Sequence, residues 1–325
     1  MPASSARRSD LTWNCQVRVV TTDAKCGMNY RLPKLNGPTV LAIGVLLGLL
    51  VPPLSALLRP LLPLTVFVFV AGTFLRTDMA ILSRSFRIPR TALLLPLIAT
   101  IVLPLAAGLG LAALGLANAV VLGIVLALAS PPSSGNAALA RMFGYSGETP
   151  LTVILVTTIL APLTMPLIGT SVGAALDSFE LMSGLAILLI AAGLVATGLR
   201  FCSPRLVDRR SAAIDQIVLL SLAVFAIATM DGVLAFSIEN PSQTIALLSA
   251  AFATNIACQL LGALLAAPGE RLAVALTFGN RNVGLPWAVL GTSLAPTTTL
   301  FFALCQLPIF ILPWFIQWFI RKTRS

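Results

Sequence analysis

LASPPSSGNAA at 128–138 and TFGNRNVGLP at 277–286 are the two stretches on which the fold turns. Each interrupts a long apolar run. The adjacent prolines Pro131 and Pro132 remove two backbone donors and clash with the preceding turn, so a helix arriving at Ser130 stops there. In the second stretch Gly279 and Gly284 bracket Asn280, Arg281 and Asn282, with Pro286 behind them. A lipid-facing helix has no use for such residues, because in hydrocarbon each backbone group freed by a break costs several kcal/mol unless protein, ions or water satisfy it. One break reads equally well as a kink. Two, each carrying polar side chains, read as a polar centre inside a membrane.

The rest of the chain supports a membrane setting. Of 325 residues 58% are hydrophobic and only 10% charged, against about a quarter charged in a soluble domain. The mean hydropathy of +0.97 agrees. With no histidine in the chain, imidazole-based catalysis and histidine metal sites are excluded. The five cysteines, Cys15, Cys26, Cys202, Cys258 and Cys305, form no CxxC pair and read as small hydrophobes or isolated thiols.

Since about 20 apolar residues span a hydrocarbon core of roughly 30 Å, cutting the sequence at clusters of charge, Pro and Gly predicts ten spans. They fall near 39–58, 61–75, 91–116, 118–143, 150–173, 181–201, 213–236, 243–267, 271–293 and 297–320. With the N-terminus inside, 19 of the 21 Lys and Arg residues lie on cytoplasmic segments, Arg59 lies outside and Arg281 lies within the ninth span. That bias predicts an even number of spans with both termini in the cytoplasm. It also assigns the net charge of +10 to topology against an anionic leaflet rather than to a nucleic-acid partner. Residues 1–37, which lack a signal-peptide core, are expected to be a disordered cytoplasmic segment; translation from Met28 is an alternative.

A constant offset of 146 maps Asn136 to Asn282, Pro150 to Pro296, Thr152 to Thr298 and Pro162 to Pro308. An odd number of spans per repeat inverts the second half, which predicts two inverted five-helix repeats, 38–180 and 181–325, with the two breaks opposed at the midplane.

These segments resemble the bile acid:sodium symporter family. The resemblance covers about 39–320 and is carried by LASPPSSGNAA with PLTVILVTTILAPLTMPLI (150–168), and by TFGNRNVGL with the proline-bearing tenth span. FVAGTFLRTDM (69–79) and SFRIPR (85–90) add to it. It implies an all-α membrane protein of ten transmembrane helices. A panel domain would be formed by helices 1, 2, 6 and 7, and a core domain by helices 3–5 and 8–10, in which the broken fourth and ninth helices cross. It also implies a sodium site at Asn136 with hydroxyls of the fifth helix, Thr152, Thr157 or Thr158, and a second at the ninth-helix break. The chain departs from that pattern in three places. Thr277 stands where the family carries Glu, Arg281 where it carries Gln, and Gly135 where it carries the Ser before the Asn.

Sodium favours anionic and carbonyl oxygen ligands, and a guanidinium close by repels it strongly at low dielectric, so these departures argue against sodium coupling. Arginine does not deprotonate in practice, and its charge at mid-bilayer marks a functional candidate. Three partners for Arg281 remain open at this stage: Asp231 in the seventh span, a substrate carboxylate in a bidentate pair, or main-chain carbonyls freed at the breaks, with the guanidinium replacing a bound cation.

The candidate binding residues are therefore Ser133, Ser134, Asn136, Thr152, Thr157, Thr158, Asp231, Thr277, Asn280, Arg281 and Asn282. The expected function is a secondary transporter moving a small organic anion across a bacterial cytoplasmic membrane by alternating access, with no cofactor and with lipid as its surroundings. Alternatives are a sodium-coupled symporter using the remaining ligands, or a non-transporting sensor on the same fold. No HExxH, GxSxG, P-loop or paired intramembrane aspartates suggest an enzyme. The break has no cysteine of the kind arsenite-efflux relatives rely on.

Overall fold

The computed structural model describes residues 37–77, 83, 87–173 and 176–324. The expectation of disorder before residue 37, and the ends of the FVAGTFLRTDM and SFRIPR stretches at 78–79 and 85–86, lie outside the described residues. From residue 36 onward the chain forms one compact unit. Among the described residues it is all-helical, with a single isolated β-bridge.

The elements are α1 Gly37–Leu50, α2 Pro52–Arg76, α3 Arg90–Ala113, α4 Asn118–Ala129, α5 Asn136–Met142, α6 Glu148–Ser171 and α7 Ser178–Cys202. They continue with α8 Pro204–Arg209, α9 Ser211–Ala228, α10 Val233–Glu239, α11 Pro241–Leu265, α12 Arg271–Gly279, α13 Gly284–Leu290 and α14 Pro296–Arg324. Seven helical segments are long and apolar enough to cross a bilayer: α2, α3, α6, α7, the run from α9 through α10, α11 and α14. The other three expected spans are built from shorter pieces. These are α1, the pair α4 and α5, and the pair α12 and α13. The first two spans also divide differently from the expectation. The chain breaks at Val51, just before Pro52 and Pro53, and helix then runs on through Arg59 and Pro60 to Arg76. A proline is harmless in the first turn of a helix, so the proline pair starts α2 rather than ending α1 late.

Local signals explain several boundaries. Asp177 caps α7, its carboxylate accepting from the amides of Phe179 (3.0 Å) and Glu180 (2.9 Å). Gly232, at φ +75°, makes the turn between α9 and α10 that a side chain would strain. Pro162 and Pro166 lie within α6, and Pro308 and Pro313 within α14, without ending either helix.

Packing gathers the helices into two neighbourhoods. In one, α9 packs on α1 and α2, and α7 packs on α2. In the other, α11 lies along α12 and α14, while α4 sits among α3, α6 and α14. Small residues permit the closest approaches, as expected where lipid removes any hydrophobic drive and helices associate by van der Waals contact. A Cβ on Gly262 of α11 would sit 2.8 Å from the carbonyl oxygen of Val274 and 2.9 Å from Cβ of Phe278, both on α12. Two ion pairs tie the first neighbourhood at opposite ends of α2. Arg59 meets Asp231 at 2.7 Å, and Arg76 Nε meets Asp215 Oδ1 at 3.0 Å. Near the second pair, Arg200 Nε of α7 donates to the Leu75 carbonyl at 2.9 Å.

Candidate functional site

The two broken segments meet. Pro132 and Arg281 form the isolated antiparallel bridge, with the Ser133 amide donating to the Asn280 carbonyl and the Asn282 amide to the Pro131 carbonyl, both at 2.8 Å. Four carbonyls at the breaks find donors. Ser130 O accepts from Arg281 Nη1 at 3.4 Å, Pro131 O from Asn282, Asn280 O from both Ser133 and Asn136 Nδ2 (3.1 Å), and Gly279 O from Asn255 Nδ2 (2.9 Å). Each break thus supplies donors to the carbonyls of the other, which is how irregular backbone survives away from water.

Side chains reinforce the crossing. Asn136 and Asn280, both fully buried, form a reciprocal pair: Asn136 Nδ2 donates to the backbone of Asn280, and Asn280 Nδ2 donates to Asn136 Oδ1 at 3.2 Å. Behind them Gln259 Nε2 donates to Asn255 Oδ1 at 2.6 Å, and Asn255 Nδ2 also approaches Asn280 Oδ1 at 3.4 Å. Asn255 and Gln259 were not among the sequence candidates. The signal was present, since two amides four residues apart share one face of an otherwise apolar helix.

Arg281 is 5% exposed and is the only charged side chain buried among the described residues. Besides the long Nη1 contact, its Nε and Nη2 have no hydrogen-bond partner among the described residues. The Phe278 ring lies 5.7 Å from its Cζ, and the Cys258 thiol neighbours it. Asp231 does not reach it: that carboxylate sits in the turn after α9 and pairs with Arg59, so the expectation that Asp231 joins the crossing is corrected. The physical reason is position. The turn lies at the end of α2 opposite Arg76, where an exposed arginine is closer to hand.

A cavity of about 440 Å³ opens between the two neighbourhoods. Ser133, Ser134, Gly135, Asn136, Asn280, Arg281 and Asn282 line its polar part. Phe69 of α2 and Phe225 of α9, edge to face at 5.8 Å, form part of its apolar wall with Leu222, Ile309 and Phe310. Arg76, Asp215 and Arg141 also line it, and the side chains of the Arg76–Asp215 pair are about half exposed, which marks the mouth. An added Cβ at Gly135 would have only Ser133 Oγ nearby, at 3.9 Å, so the absence of a side chain there leaves open space.

The remaining candidates are close to the breaks in sequence and packing but outside the cavity wall. Thr152 and Thr157 of α6 are fully buried and return their hydroxyls to their own helix, Thr152 to Glu148 O at 3.0 Å and Thr157 to Val153 O at 2.6 Å. Thr158 is buried on the same helix, and Thr277 bonds Ala273 O at 2.7 Å. Thr298, matched to Thr152 by the offset of 146, instead donates across to Ala119 O of α4 at 2.8 Å. Of the tryptophans, Trp287 is buried against Phe302 at 6.0 Å and Trp314 is exposed, so neither belongs to a ligand cage. Among the described residues no cluster of three acidic or cysteine side chains could hold a metal ion. No protein-family model matches the chain, and no curated protein matches it.

Proposed function

We propose that this protein is a secondary transporter that binds a small organic anion where the two broken segments cross and moves it by alternating access. The observation that carries the reading is Arg281: a permanent cation in the wall of a 440 Å³ cavity, buried, with two donor nitrogens that no acceptor among the described residues meets. A guanidinium whose buried donors lack acceptors suits a carboxylate, which supplies two acceptors and the missing charge together once the side chain turns those nitrogens toward the cavity. The apolar wall of Phe69, Leu222 and Phe225 suits a compact hydrocarbon body beneath that head group.

The architecture belonging to this reading is ten spans in two inverted repeats, as the resemblance to the bile acid:sodium symporter family implies. In it α4 with α5 and α12 with α13 each count as one crossing. Their lengths support it: each half is too short to span alone, whereas 19 and 16 helical residues give about 28 and 24 Å, near the roughly 30 Å needed. The basic bias then sets both termini, and the mouth at Arg76 and Arg141, toward the cytoplasm of a bacterial inner membrane.

The coupling differs from that of the family. Asn136 Oδ1, an oxygen expected to face sodium, accepts instead from Asn280, and the Thr277 hydroxyl is engaged within its own helix. With Arg281 Nη1 turned to the Ser130 carbonyl, the guanidinium takes the place of a bound cation. The test is uptake of small carboxylates into proteoliposomes with sodium replaced by potassium. The rate is expected to change little, and strict sodium dependence would refute this assignment of Arg281.

A further inference from the structure

We infer that the carrier is an exchanger, one in which a bound monoanion is required for the crossing to pass between its two openings in either direction. The inference rests on the carrier reading above and concerns what happens when the site is empty. In a sodium-coupled carrier the positive charge leaves with the cargo. Here the charge is covalently attached, and arginine does not lose it. The buried end of the bare site is therefore +1 at every step, and with a monoanion it is neutral, while Arg141 is exposed at the mouth and keeps its charge in water.

Among the described residues no carboxylate stands ready to take the anion's place. Among the described residues Asp215 is the only acidic one lining the cavity, and it is held by Arg76 through Nε at 3.0 Å and Nη2 at 3.1 Å. Asp231 is held by Arg59. On its inner side Arg281 faces an aromatic ring and a thiol, and only one long contact to a carbonyl. Among the described residues nothing else compensates Arg281, so compensation arrives through the cavity mouth. Passing from one opening to the other requires that mouth to close, which removes the high-dielectric path to the charge. Coulomb and desolvation terms both grow as the local dielectric falls, so the unpaired cation is penalised most in the closed intermediate, where a guanidinium–carboxylate pair is penalised least. The empty carrier is stalled and the loaded one is not.

The experiment uses the full chain in proteoliposomes with potassium and valinomycin holding the potential at zero. The external probes are radiolabelled pyruvate, lactate, 2-oxoisovalerate and benzoate, offered separately to vesicles loaded either with the same unlabelled anion or with sulfate, an inorganic dianion. For the probes that are taken up, internal anion is expected to raise initial uptake about tenfold or more, since a charge penalty of even one decade in rate is small on the scale of a buried cation. Equal uptake under both loadings overturns the exchange inference and leaves the carrier reading standing. No uptake of any probe under either loading counts against the carrier reading itself. Arg281→Gln, which keeps amide donors but not the charge, is expected to bring the ratio toward one, while Arg281→Lys retains it. Should the glutamine variant fail to fold, the wild-type ratio and the lysine variant still decide.

Discussion

Replacing either member of the Asn136–Asn280 pair tests the crossing where it is most tightly specified. Asn136→Ala leaves Asn280 Nδ2, fully buried, without its acceptor at 3.2 Å, while the Asn280 carbonyl keeps the Ser133 amide at 2.8 Å. Asn280→Ala leaves Asn136 Oδ1 without its donor but preserves the bond from Asn136 Nδ2 to the backbone of residue 280. Each single change therefore strands one buried polar atom, which costs about 1–3 kcal/mol. The double replacement strands neither, so its cost should fall short of the sum by about 0.6–1.5 kcal/mol, the range of a hydrogen bond within a membrane protein. The assay is thermal unfolding of the four proteins in one mild detergent, read as a double-mutant cycle, with organic-anion uptake measured beside it. Both singles should be purifiable and slower in transport. Additivity within about 0.5 kcal/mol would show that the two amides do not depend on each other and would refute the reasoning.

Two further outcomes follow from the packing. Gly262→Ala should reduce the yield of monodisperse protein and cost about 1–3 kcal/mol, because the new methyl group meets the Val274 carbonyl at 2.8 Å and backbone cannot yield as a side chain does; a variant as stable as wild type in detergent melting would contradict the close α11–α12 approach. Asp231→Asn should leave transport unchanged and shift stability by no more than about 1 kcal/mol, since Arg59 in that pair is 48% exposed; a transport defect in uptake assays would return Asp231 to the functional site.

Composition alone determined that this chain lives in a bilayer, and the distribution of Lys and Arg determined an orientation to test. The two interruptions were legible for a physical reason. Pro131–Pro132 and the Gly279–Gly284 cluster are local obstacles to helix, and they act wherever the chain goes. That Ser133, Ser134, Asn136, Asn280, Arg281 and Asn282 share one cavity followed from opposing those breaks. What the sequence could not settle is pairing at a distance. Three partners were open to Arg281, and only tertiary structure removed Asp231 by placing Arg59 beside it. The same holds for Asn255, which donates to the Gly279 carbonyl, and for Gln259 behind it: their shared helix face is legible in the sequence, but the partner is set by the fold. Obstacles to helix are properties of a few adjacent residues. Satisfying the groups those obstacles expose is a property of whichever surfaces packing brings within hydrogen-bonding reach.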